Sequence, residues 1–92
     1  MAKHLIIDGL VQGVGYRASF AAAASAAGVA GWVRNRSDGS VEACIHGDPL
    51  TIDAPIAWAR RGPAAARVSD VLVTESGEAT PIDGQFAIRP TV

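Results

Sequence analysis

Cysteine, net charge, aromatic side chains and long apolar runs are all scarce in this chain, and each scarcity excludes a class of protein. One cysteine, Cys44, among 92 residues leaves no partner for an intramolecular disulfide. That fits a reducing compartment and excludes a cysteine-built metal site. A formal net charge of -1 and a pI near 6.0 offer no general attraction to nucleic acid or anionic membranes, so any positive potential must be local. The longest apolar stretch, Ala18 to Ala30, is interrupted by Ser19 and Ser25 and is too weakly apolar to span a bilayer. Met1-Ala2-Lys3-His4 leads directly into a strand-like run without the pattern of a secretory leader, which makes the cytoplasm the expected compartment.

Apolar residues, by contrast, make up 49% of the chain, enough for a folded core and far from the profile of a disordered segment. Many of them are alanine, so that core is expected to be shallow. The length points to a single domain over residues 1–92, near the lower limit of what folds without disulfides or metals.

Lys3 to Val11, rich in β-branched and apolar residues, predicts a first strand. Tyr16 to Ala27 predicts a helix by alanine propensity, stopped by Gly28. Ala30 to Arg36 predicts a second strand and Val41 to Gly47 a third, joined through Ser37-Asp38-Gly39-Ser40, where Asp-Gly supplies the positive φ angles of a tight hairpin. In the third strand Val41, Ala43 and Ile45 alternate with Glu42, Cys44 and His46, the pattern of a half-buried antiparallel strand. Asp48-Pro49 reads as an N-cap followed by proline at the first helical position, and this second helix runs to Arg61 before Gly62-Pro63. Pro55 removes one helical hydrogen bond, so the helix is either kinked or begins near Asp53. Arg67 to Glu75 predicts a fourth strand, Ser76 to Gly84 a polar loop, and Phe86-Ala87-Ile88 a short closing strand. The order is that of the α+β class: a ferredoxin-like split βαβ (βαββαβ), an antiparallel sheet with both helices on one face. Many activities share that fold, so function must be read from particular residues.

The stretch that carries chemistry is Val11-Gln12-Gly13-Val14-Gly15-Tyr16-Arg17. A strand, a glycine-rich turn and a helix in succession aim several backbone N–H groups at one spot beside the positive end of a helix dipole, which favours an anion and above all a phosphate. Arg17 adds a planar fork of donors that matches phosphate oxygens. Gly13 to Ala18 also fits GxGxxA, the dinucleotide fingerprint, but a chain this short cannot build the doubly wound parallel sheet that fingerprint belongs to. The lysine and hydroxyl ending of a nucleotide-triphosphatase loop is absent.

Gly9 to Arg17 closely resembles the phosphate-binding loop of the acylphosphatase family, and Gly31-Trp32-Val33-Arg34-Asn35 with Asp38-Gly39 and Val41-Glu42 is similar to that family's second signature. Gly47-Asp48-Pro49, Arg61-Gly62-Pro63 and Phe86-Ala87-Ile88-Arg89 also resemble its pattern, so the likeness spans essentially the whole chain. Leu10, Tyr16 and Pro55 depart from it, at positions away from the catalytic matches. The resemblance implies hydrolysis of a carboxyl–phosphate anhydride to a carboxylate and inorganic phosphate, with no metal and no organic cofactor. It implies Arg17 as the phosphate-binding residue, Asn35 as the residue that orients water, and the amides of Gln12, Gly13, Val14, Gly15, Tyr16 and Arg17 as the cradle.

The chemistry is coherent with those residues. The departing carboxylate of an acyl phosphate is a weak base, so no general acid is required. What remains is to neutralise the phosphoryl oxygens and hold water in line. A carboxamide donates and accepts, and, unlike a carboxylate, does not repel a dianionic substrate. Arg34 and Arg36 are expected as exposed strand residues that raise the potential near the site. His4 and His46 have no ligand spacing and read as structural or surface residues. Cys44 reads as an outer-face thiol open to oxidants, Trp32 and Trp58 as packing residues. Three functions compete: a stand-alone acylphosphatase, an acylphosphatase-like domain acting on carbamoyl phosphate, and a catalytically silent ferredoxin-like module binding RNA or a small ligand. The exposed sheet face lacks paired base-stacking aromatics, which counts against the last. The expected partners are a small acyl phosphate, with inorganic phosphate or sulfate as competing anions, for a monomer that binds neither nucleic acid nor membrane.

Overall fold

Alternating apolar residues on four strands need a cover, and two helices supply it on one side only. The computed structural model describes residues 1–92, with β1 at Ala2–Leu10, α1 at Tyr16–Ala26, β2 at Ala30–Asn35, β3 at Val41–His46, α2 at Pro49–Arg61, β4 at Arg67–Glu75 and β5 at Phe86–Ile88. The sheet order is β4-β1-β3-β2-β5. Pairings β4·β1, β1·β3 and β3·β2 are antiparallel. This is the expected split βαβ arrangement, extended by one strand.

That strand corrects the expectation of a purely antiparallel sheet, because β5 pairs parallel with β2, Trp32 opposite Ala87 and Val33 opposite Ile88. The reason is the route taken after β4. The loop from Ser76 crosses the face opposite the helices, where Trp32 Nε1 donates to Glu78 Oε1 at 2.7 Å, and so reaches the far edge running in the direction of β2.

Leu5, Ile7, Val33, Ala43, Ile45 and Val71 face the helices and form the core with Phe20, Ala24, Ile52 and Ala59. On α1 the buried residues Tyr16, Phe20 and Ala24 recur every four positions, one stripe of a helix. Trp58 of α2 closes over that stripe, its ring centroid 5.3 Å from Tyr16 and 5.8 Å from Phe20. Of the two alternatives raised by Pro55, a start near Asp53 is overturned: the helix begins at Pro49 and Pro55 lies within it, buried. Asp48 accounts for this, since its carboxylate accepts from Leu50 N and Thr51 N at 3.0 Å and satisfies two of the free N–H groups of the first turn. The apolar face of Pro55 then joins Ile52 and Ala59 against the core.

The β2–β3 connection is less tight than Asp-Gly suggested. Arg36 N donates to Ser40 O at 2.9 Å, which leaves Ser37, Asp38 and Gly39 as a three-residue loop with only Gly39 left-handed, φ 94. No helix is long and apolar enough to cross a membrane.

Candidate active site

Between β1 and α1 the chain turns on two left-handed glycines, Gly13 at φ 74 and Gly15 at φ 77. A Cβ on either would meet nothing within 4 Å, so glycine is required here for the backbone angle and not for room. The turn delivers the chain to α1 with Gly15 as its N-cap, with no side-chain cap and no acidic residue in the first turn. The first helical bond is Ser19 N to Gly15 O at 3.1 Å. No backbone N–H from Gln12 to Arg17 donates to an acceptor in the protein, a run of unspent donors at the positive end of a helix.

These residues open onto a cleft of about 210 Å³ lined by Val11, Gly13, Gly15, Tyr16, Arg17, Ala18, Asn35 and Ile88. Arg17 is half-buried there and forms neither an ion pair nor a side-chain hydrogen bond within the protein. Asn35 is the last residue of β2, and strand alternation puts it on the helix-covered face with Val33. Its backbone is fixed on both sides, opposite Val41 in β3 and through Val92 N donating to Asn35 O at 3.1 Å. Its side-chain Oδ1 is buried and has no hydrogen-bond partner in the protein. A buried acceptor without a donor costs about 1–3 kcal/mol, which a hydrogen-bonding guest in the cleft would offset.

Of the residues expected in the cradle, Gly13, Gly15, Tyr16 and Arg17 line the cleft, while Val14 packs against the core. The Gln12 side chain turns away to a task that the sequence did not disclose. Its Nε2 donates to Arg36 O at 2.7 Å and to Ser40 O at 2.8 Å, which fastens the glycine loop to the neck of the β2–β3 hairpin beside Asn35. Tyr16 is buried, donates its hydroxyl to Ala59 O at 2.8 Å, and has its phenol pushed well above its ordinary value by burial. Only its backbone N–H is free for an anion.

Other expectations are revised. Arg34 does not serve the cleft: it lies on the opposite face, its Nε donating to Glu42 Oε1 at 2.7 Å and its guanidinium 4.6 Å from the Trp32 ring centroid. His4 Nε2, also on that face, donates to Glu42 Oε2 at 2.7 Å. Cys44 is fully buried and no oxidant-facing thiol. The lone cysteine also fails to exclude a metal-ligating cluster, because Cys44, His46 and Glu78 come together with donor atoms within 4.8 Å of one another. The signal missed was Glu78, which reaches the third strand only because the loop crosses the sheet.

A ferredoxin-like sandwich with an uncapped, glycine-rich helix start, a free arginine and an unpartnered carboxamide defines a class of protein whose cleft offers donors suited to a small oxyanion beside a hydrogen-bonding group. The model of the family described as acylphosphatase matches residues 3–88. The chain belongs to the acylphosphatase family. It is 52% identical over 93 residues to an acylphosphatase of Acidovorax sp. (strain JS42), covering 100% of this chain and 93% of that one. Among solved structures it is similar to an acylphosphatase from Bacillus subtilis, with a TM-score of 0.85, 35% identity, and coverage of 97% of this chain and 99% of that one. It is also similar to full-length HypF, in a phosphate- and nucleotide-bound form, with a TM-score of 0.82 and 26% identity over 98% of this chain but only 12% of that one.

Proposed function

We propose that this chain hydrolyses acyl phosphates to a carboxylate and inorganic phosphate, with Arg17 and the amides of Gln12 to Arg17 holding the phosphoryl group and Asn35 orienting the attacking water. The observation that carries this reading is the meeting of unspent loop amides, a free Arg17 and the unpartnered Asn35 Oδ1 in one cleft. The amides and guanidinium neutralise the three phosphoryl oxygens as charge develops on them. Asn35 Oδ1 accepts a hydrogen from water and holds its oxygen in line with the bond to the leaving carboxylate. The water oxygen bonds to phosphorus as its proton passes to a phosphoryl oxygen, and the P–O bond to the carboxylate breaks with its electron pair on the carboxylate, which departs without protonation.

The departing carboxylate needs no general acid, and the reaction is read as metal-independent, which fits a cleft lined by no carboxylate and no histidine. Inorganic phosphate and sulfate compete with substrate, because the site reads a tetrahedral anion. Ile88 and Ala18 are the exposed apolar lining left for the acyl group, and so small a surface favours breadth over selectivity. We further read the chain as one domain, monomeric and cytoplasmic, the last on the unpaired, buried thiol of Cys44.

A second reading is a domain of this kind acting on carbamoyl phosphate; the match to 12% of full-length HypF shows that this fold also occurs as a small part of a larger chain. Phosphate release from benzoyl phosphate and from carbamoyl phosphate, measured side by side, decides between them. The first reading expects saturable turnover of benzoyl phosphate, inhibited competitively by phosphate. Preference for carbamoyl phosphate moves the assignment to the second, and silence with both removes the activity.

A further inference from the structure

The other cluster of chemistry-bearing side chains lies across the sheet from the phosphate cleft. Cys44 and His46, two apart on β3, project from the face opposite the helices, since Ala43 and Ile45 face the core. Both are buried, at 0% and 3% exposure, beneath the loop that joins β4 to β5. Cys44 Sγ lies 3.4 Å from His46 Nε2, and Glu78 Oε1 reaches within 3.9 Å of that same nitrogen.

We propose that Cys44, His46 and Glu78 form a zinc site that fastens the loop between β4 and β5 to the sheet. Tetrahedral zinc, with bonds of about 2.3 Å to sulfur and about 2.0–2.2 Å to nitrogen and oxygen, holds its ligand atoms roughly 3.3–3.6 Å apart. The sulfur–nitrogen spacing already meets this. The carboxylate needs to close by roughly half an ångström on the imidazole and by up to roughly 1.2 Å on the sulfur, since the three donor atoms lie within 4.8 Å of one another, a movement open to a loop side chain that is 38% exposed. A thiolate, an imidazole and one carboxylate suit zinc and not magnesium or calcium, which take oxygen ligands. The fourth position belongs to water on the exposed side of Glu78.

The surroundings fit the same assignment. Trp32 Nε1 donates to Glu78 Oε1 at 2.7 Å and orients the carboxylate, as the groups behind metal ligands commonly do. On binding, the Cys44 thiol gives its proton to solvent. Ser76 Oγ, 3.5 Å from the sulfur, is then placed to donate to the thiolate. Zinc, thiolate and carboxylate together are neutral, which removes the main cost of placing an ion beneath the loop.

The test uses the full chain, stripped with chelator and then titrated with Zn²⁺ against a chromophoric competitor, with Co²⁺ in parallel. We expect one equivalent of zinc bound at micromolar concentration, a rise in Tm of several degrees, and a thiolate-to-cobalt charge-transfer band. Cys44→Ser should abolish that band. Glu78→Gln, at an exposed position that spares the fold, should weaken zinc binding by at least ~10-fold, and Trp32→Phe by about 10- to 100-fold. Failure to take up one equivalent, or uptake unchanged in both Cys44→Ser and Glu78→Gln, would overturn the site and leave a hydrogen-bonded cluster. Benzoyl phosphate hydrolysis should not change when zinc is removed, so this site and the phosphate cleft stand or fall on separate measurements.

Discussion

Arg17 occupies an electrostatically awkward place, a cation in the first turn of a helix with no carboxylate to offset it. An anion bound as proposed would offset it. Arg17→Gln is therefore expected to raise KM and lower kcat together, because one guanidinium serves bound substrate and transition state alike; steady-state kinetics on benzoyl phosphate check this, and a change in KM alone would confine Arg17 to binding. Asn35 is expected to behave differently. In the proposed mechanism its unpartnered Oδ1 accepts from water and does not hold phosphate, so Asn35→Ala should lower kcat by on the order of 10² while the inhibition constant for phosphate stays nearly unchanged. Both residues were legible in the sequence, because each sits inside a short motif. Gln12 was named only for its amide, and its side-chain role was hidden, since its acceptors lie 24 and 28 residues further on.

At the level of elements, the proposed site depends on three pieces held in register: the glycine loop, the start of α1 and the end of β2. Gln12 ties the first to the last, so Gln12→Ala should leave the fold intact, lower kcat more than Arg36→Ala does, and cost about 1–3 kcal/mol in denaturant unfolding through the two hydrogen bonds lost. Tyr16 ties α1 to α2. Tyr16→Phe should lower stability by about 0.5–1.5 kcal/mol at neutral pH through loss of the bond to Ala59 O. The pH dependence follows from the raised phenol. Its stabilising contribution is complete below the ordinary value of 10.0 and declines as pH rises above it, because the unfolded chain ionises first. Tyr16→Phe should flatten that alkaline decline, as denaturation at several pH values would record. The strands and both helices were readable from alternation, alanine propensity and the Asp48-Pro49 start. The parallel pairing of β5 was not, because three residues carry no directional signal and the direction is set by a loop crossing a face.

The whole molecule divides its labour between the two faces of one sheet. The helix side encloses the apolar core and opens at one end into the phosphate cleft. The other side gathers the polar and charged residues, with Glu42 between His4 and Arg34 and Trp32 between Arg34 and Arg89. Sequence alone led to the first face, since hydrophobic period and glycine motif point to it directly. The second was read as an exposed surface, because alternation tells which residues leave the core and not what later covers them. A net charge of -1 gave no sign of the local positive spot, which the glycine motif alone disclosed and which is made of backbone N–H groups and one free arginine. The central claim is that this chain alone, with no metal, hydrolyses acyl phosphates in that cleft. The most direct measurement is the rate of benzoyl phosphate hydrolysis by the purified chain in excess chelator. The account predicts saturable turnover, equal with and without chelator and suppressed by added phosphate. Hydrolysis no faster than in buffer, or a rate that collapses with chelator and returns with magnesium, would contradict it.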